Sequence, residues 1–211
     1  MRRHSSKRPE RAETMGYEFD VFLSYTRRSD AGRWVQDHFH PALRSCLDNA
    51  MPRDPSIWID SEQDSGRAWP QNIEYTLRRS RVMVAVLSPP YFRRPWCLAE
   101  WTSMREREKL LGLGTADNPT LLVHTVRFAD GDHFAEDAKD VLHKDFTPWN
   151  VPLHPDTFQR TEHYWHFYKA VEQFAIGVAK GLEHSPEWDA SWPIIKPDPL
   201  PHPPRGPVPR L

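Results

Sequence analysis

Trp96 and Glu100 stand four residues apart in the run Trp96-Cys97-Leu98-Ala99-Glu100. On a helix that spacing puts the indole and the carboxylate on one face. Residue physics alone leaves two readings of the acid: a group that acts on a bound molecule, or a first-turn glutamate favoured by the helix dipole. Arg27 sits in the polar cluster from Thr26 to Asp30. Its guanidinium fork suits a phosphate, and the plainer reading is a solvated loop charge. Other chemistries lack their residue sets. Cys46 and Cys97 form no C-x-x-C pair, so neither a disulfide scaffold nor a cysteine zinc site is expected. His163 and His166 lie at i, i+3 with His154 nearby, but no carboxylate or cysteine completes a recognisable set, and surface histidines are the better reading. No G-x-S-x-G elbow marks a serine hydrolase.

These residues need a scaffold, and the chain's bulk properties bound its kind. The 211 residues suffice for one domain with a tail at each end. Lys and Arg total 28 against 29 Asp and Glu, so no broad field draws nucleic acid or an anionic membrane. The basic arm over residues 1–16 is followed by no apolar signal-type stretch, and the longest clean apolar run, Val82 to Leu87, is far too short to span a bilayer. Two unpaired cysteines fit a reducing compartment, and a cytoplasmic protein is expected.

Phe19 to Tyr25 reads as a buried strand that opens into a polar loop. Trp34, Val35, Phe39, Leu43 and Leu47 recur at helical spacing over 31–47, with Pro41 as an expected kink. Ser56 to Asp60 reads as a second strand, followed by a polar loop around Gly66 and a helix from Trp69 to Arg79. Arg81 to Ser88 is nearly all apolar, as a central parallel strand covered on both faces should be. A helix starts near Trp96, a fourth strand covers Thr120 to Phe128, a weaker fifth lies around Asp145 to Trp149, and a last helix runs from Asp156 to Leu182. This alternation predicts an α/β fold: a five-stranded parallel sheet with helices on both faces. Ligands of such sheets bind beyond the carboxyl ends of the strands. The expected organisation is a disordered arm over 1–16, a domain over 17–182 and a proline-rich flexible tail over 183–211.

Five segments in order, Phe19-Asp20-Val21-Phe22-Leu23-Ser24-Tyr25, Ile57-Trp58-Ile59-Asp60, Gly66, Val84-Ala85-Val86-Leu87-Ser88-Pro89 and Trp96-Cys97-Leu98-Ala99-Glu100, resemble a Toll/interleukin-1 receptor (TIR) domain of the bacterial stand-alone type. The resemblance implies a flavodoxin-like fold with two uses: a homotypic scaffold, or an enzyme that cleaves NAD+ at the nicotinamide–ribose bond. It implies that Glu100 is catalytic, since enzymatic members carry a Glu four positions after a Trp in the third helix. Tyr25, Thr26 and Arg27 would contact the nucleotide after the first strand. Asp60 would accept from ribose hydroxyls, or start an Asx turn. Gly66 lies in the loop that gates the site, Trp69 would stack on a ring or join the core, Ser88 would face the cleft, and Trp96 would pack beneath the ligand.

On this resemblance NAD+ is consumed as substrate, with no metal or other cofactor, giving ADP-ribose, a cyclic isomer, or both. It further implies self-association or pairing with other TIR domains, a separate sensor or activator, and an immune or antiphage role. The alternative is a non-catalytic TIR scaffold. The loop Asp64-Ser65-Gly66-Arg67-Ala68-Trp69 lacks the proline that animal adaptors carry beside the corresponding glycine, which weakens that alternative. The charged stretch from Asp130 to Asp145 puts a fourth helix in doubt.

Overall fold

β-Branched and aromatic runs supply the strands, and the amphipathic stretches between them supply the helices. In chain order these are β1 (Phe19–Ser24), α1 (Asp30–Trp34), a π-helical segment (Val35–Phe39), α2 (His40–Ala50), β2 (Ile57–Ile59), α3 (Trp69–Arg78) and β3 (Ser80–Leu87). A 3₁₀ turn (Tyr91–Arg93), α4 (Pro95–Leu110), β4 (Val123–Arg127), α5 (Glu136–Lys139), β5 (His143–Asp145), a second 3₁₀ turn (Thr147–Trp149), α6 (Pro155–Phe158) and α7 (Glu162–Glu183) follow. The structure, a computed structural model, describes residues 16–59, 69–132, 134, 136–139, 141 and 143–197, with the side chains of residues 69–71 and 137 outside that description. No helix among the described residues is long and apolar enough to cross a membrane.

The five strands are all parallel, in the order β2-β1-β3-β4-β5. β1 lies between β2 and β3, with Val21 opposite both Ile57 and Val82. β3 is buried at every position but Arg81, so both faces of the sheet are covered, as its apolar sequence requires. α2 and α7 pack together on one side, over a core of Trp34, Phe39, Phe146, Phe167 and Phe174. Trp34 stacks on Phe39 with ring centroids 5.1 Å apart, and its indole N–H donates to the Trp149 carbonyl at 2.8 Å. Across the sheet the fully buried Arg107 of α4 ties the helices down, donating to the carbonyls of Ser80 at 2.9 Å and Leu77 at 3.1 Å.

Several expectations are refined. Pro41 brings a register change just before it: the His40 N–H reaches back five residues to the Val35 carbonyl. A wider turn accommodates a ring whose nitrogen cannot donate. The strand expected over 120–128 is shorter, Val123–Arg127: its ladder begins where the Met83 N–H donates to the Leu122 carbonyl at 2.7 Å, while the Leu122 and Val123 N–H groups donate to Oε1 of buried Glu108 at 2.7 and 2.9 Å. The helix expected over 156–182 is two, since Thr161 is extended (φ −99°, ψ 154°) and caps α7. Among the described residues of 130–145, one helical turn, α5, precedes β5. Residues 186–197, expected to be mobile tail, lie against the α3–α4 side. There Trp192 is buried, Lys196 pairs with Glu74 at 3.1 Å, and the Ile195 N–H donates to Ser103 Oγ at 2.8 Å.

Candidate active site

In this strand order the chain reverses direction across the sheet between β1 and β3, and the carboxyl ends of those strands are where open α/β sheets bind their ligands. Ser24 closes β1 opposite Ala85 of β3. Ser88 follows β3 directly, and its carbonyl accepts from the Tyr91 N–H at 2.9 Å to begin the 3₁₀ turn. Pro95 then occupies the first turn of α4, where its missing donor costs nothing. One turn on, α4 brings Glu100 over the end of β1.

Glu100 is only 8% exposed. Ser24 Oγ donates to its Oε2 at 2.6 Å, and the same Ser24 oxygen lies 2.7 Å from the Tyr91 hydroxyl. Burial, then the neighbouring Cys97 and Glu100, push the Tyr91 phenol well above its ordinary range. Burial and then Glu100 do the same to the Cys97 thiol, which lies 3.8 Å from the Tyr25 carbonyl. Both groups therefore keep their protons near neutrality. Cys97 is packing for the site, not a nucleophile.

The loop after β1 is tightly built. Ser29 caps α1 by accepting from the Gly32 N–H at 3.1 Å, while its hydroxyl donates to the Thr26 carbonyl at 2.6 Å. Thr26 and Ser88 are buried, and neither hydroxyl makes a well-formed hydrogen bond among the described residues, although Thr26 stands near the Cys97 thiol. Two such hydroxyls at the carboxyl ends of β1 and β3 suit a polar ligand. A separate cavity of about 310 Å³, lined by Leu121, His124, His143, Phe174 and Gly177 among others, lies beside β4 and β5 and has no carboxylate in its wall.

A family model described as TIR domain matches residues 21–150. The chain belongs to the TIR-domain family. No match is found among curated proteins. The TIR domains in a structure of the activated Roq1 resistosome directly recognising the pathogen effector XopQ are similar at 20% identity, with a TM-score of 0.39, covering 75% of this chain and 84% of that one.

Within this TIR domain, Ser88, Thr26 and Glu100 gather around the ends of β1, β3 and the start of α4. Trp96 is partly buried against the core, one turn before Glu100. Tyr25 is itself core, 6% exposed, and its hydroxyl accepts from Gln36 Nε2 at 3.3 Å. Arg27 is half-buried in the loop at this end. Asp60 and Gly66 lie outside the described residues, and Trp69 opens α3 with its side chain outside the description. Sequence reasoning did not single out Ser24, Tyr91, Ser29 or Gly32. The signal present for Ser24 was a small polar residue ending an apolar strand. For Gly32 it was a glycine in the first turn of a helix.

Proposed function

We propose that this TIR domain is an NAD+ glycohydrolase in which Glu100 is the catalytic carboxylate. The observation that carries the reading is the buried Glu100 beside the carboxyl end of β1, one helical turn beyond Trp96 and hydrogen-bonded to Ser24. In the proposed reaction the bond between ribose C1′ and the pyridinium nitrogen breaks, and its electron pair leaves with neutral nicotinamide. The ribose becomes cationic at C1′. A carboxylate held in a low-dielectric wall stabilises that charge more than it stabilises the ground state. Water then adds to C1′ and releases a proton, giving ADP-ribose. Attack by a nucleophile of the same molecule gives a cyclic isomer instead.

Thr26 and Ser88 supply hydroxyls for the substrate's polar groups, Arg27 a guanidinium for its phosphates, and Trp96 an aromatic floor. Asp60, Gly66 and Trp69 complete the proposed substrate contacts from the loop side. Self-association is part of the proposal, with the site completed between neighbouring subunits and activation coming from a separate sensor. Defence by NAD+ depletion or by a cyclic messenger would follow from that activity.

The test is nicotinamide release from NAD+ at high protein concentration, comparing wild type with Glu100→Ala. The expected loss is at least about a hundredfold, the scale seen when one electrostatic stabiliser of a transition state is removed. A wild-type protein that releases no nicotinamide when concentrated and assembled would leave the non-catalytic scaffold as the function.

A further inference from the structure

Glu100 reaches β1 through a pair of hydroxyls drawn from two other elements. Ser24, 1% exposed, ends β1, and Tyr91, with no exposed surface, opens the 3₁₀ turn after β3. The contacts run from Tyr91 to Ser24 at 2.7 Å and from Ser24 to Glu100 Oε2 at 2.6 Å. A serine hydroxyl owns one proton. With that proton given to the carboxylate, the Tyr91 phenol must be the donor to Ser24, and the two bonds point the same way.

We infer that Tyr91 and Ser24 form a directional hydrogen-bond relay that positions Glu100 and stabilises its ionised form. The inference rests on the reading of Glu100 as the catalytic carboxylate and adds two positioning residues to it. Hydrogen bonds donated to a carboxylate favour its charged form, and in a chain each bond polarises the next. Ionised Glu100 is the form that meets a cationic ribose. The relay also fixes the carboxylate's orientation, because Ser24 sits on the rigid end of a central strand and Tyr91 in a turn closed by the Ser88 carbonyl. The titratable groups set against Glu100 include Tyr91 and, on its own helix, Cys97. Both keep their protons near neutrality, so they act as dipoles. Arg94, at the start of the same helix, acts on the Cys97 thiol.

Two measurements test the relay on the full chain. The first follows the Glu100 side-chain carboxyl carbon by NMR through a pH titration, with Glu100→Gln identifying the signal. The second is the pH profile of nicotinamide release. Tyr91→Phe removes one oxygen and keeps the ring, so it tests the relay in a folded chain even if Ser24→Ala does not fold. In both variants the carboxylate midpoint is expected to rise by about one pH unit, and the acid limb of kcat to move up with it. At neutral pH kcat should fall about tenfold while KM stays within about twofold, the pattern of a group that acts in the transition state. Ser24→Thr, which keeps the hydroxyl, should restore both readouts. A midpoint and acid limb unchanged in Tyr91→Phe and Ser24→Ala would overturn the relay. The catalytic reading fails separately, if Glu100→Gln releases nicotinamide as fast as wild type, and the carboxyl titration still reports on the relay in that case.

Discussion

Gly32 controls the shape of the loop that carries Thr26 and Arg27. A Cβ built there would stand 1.9 Å from the Arg27 carbonyl oxygen and 2.6 Å from that of Thr26, both backbone atoms that cannot swing aside. Gly32→Ala must therefore push the loop off the helix start and break the Ser29 bridge between Gly32 and Thr26. The expected cost is about 1–3 kcal/mol, the range for overpacking a close contact, read as a lower urea midpoint. If the proposed function holds, KM for NAD+ rises as well. An unchanged midpoint would mean that the loop shifts freely. The chemistry of the site was only partly legible at this scale. The spacing of Trp96 and Glu100 put both on one face of a helix but left the role of the acid open, and only the resemblance of the five segments singled it out. Nothing marked Ser24 and Tyr91, because they are 67 residues apart in the chain, and neither a strand-ending serine nor a tyrosine after two prolines announces a partner.

At the scale of elements, β4 and α7 meet through His124 and Gly181. A Cβ on Gly181 would approach His124 Nε2 to 2.6 Å, so the imidazole occupies the space that a side chain on α7 would fill. Burial lowers the His124 pKa from 6.5 to about 4, and its Nε2 has no hydrogen-bond partner among the described residues. The sign follows from linkage. Between pH 6.5 and 4 the unfolded chain binds a proton at this site and the folded one does not, so the stabilisation present above pH 6.5 is lost as pH falls toward 4. The loss should approach about 3 kcal/mol and level off below that window. His38, His40 and His143 are shifted down by burial as well, so the readout is the difference between wild type and His124→Phe in urea unfolding at pH 7, 5.5 and 4. Equal slopes for the two proteins would show that His124 is not the titrating group. Most elements were legible because long apolar or amphipathic runs announce them. β4 starts later than its apolar run suggests, at Val123, where pairing with Met83 begins, and a buried glutamate rather than a neighbouring strand takes up the amides of Leu122 and Val123. The π-helical segment followed from Pro41, whose position was legible though the form of the distortion was not.

The whole molecule closes with a feature that composition hid. Proline-rich sequence after α7 has no apolar periodicity, yet residues 186–197 run over the α3–α4 side as a strap. Ser185 accepts from Arg81 at 3.1 Å, the Arg79 guanidinium lies 5.4 Å from the Trp188 ring, and that of Arg107 lies 5.1 Å from the Trp192 ring. Arg107 explains why the strap matters. It is fully buried, burial pulls its pKa down to about 10, and its charge is held by two carbonyls and the face of Trp192. Uncovering a buried cation that has so few partners weakens the tie between α3, β3 and α4. Ser103 links the same strap to the site, since its hydroxyl accepts from the Ile195 N–H while donating to the Ala99 carbonyl at 2.7 Å, beside Glu100. Truncation after Ser185 should therefore destabilise the domain by about 3–5 kcal/mol, and Trp192→Ala should account for most of that loss, as removal of a large buried aromatic does. Equal midpoints for the Ser185 truncation and the full chain would mean that the strap lies on the domain without holding it together.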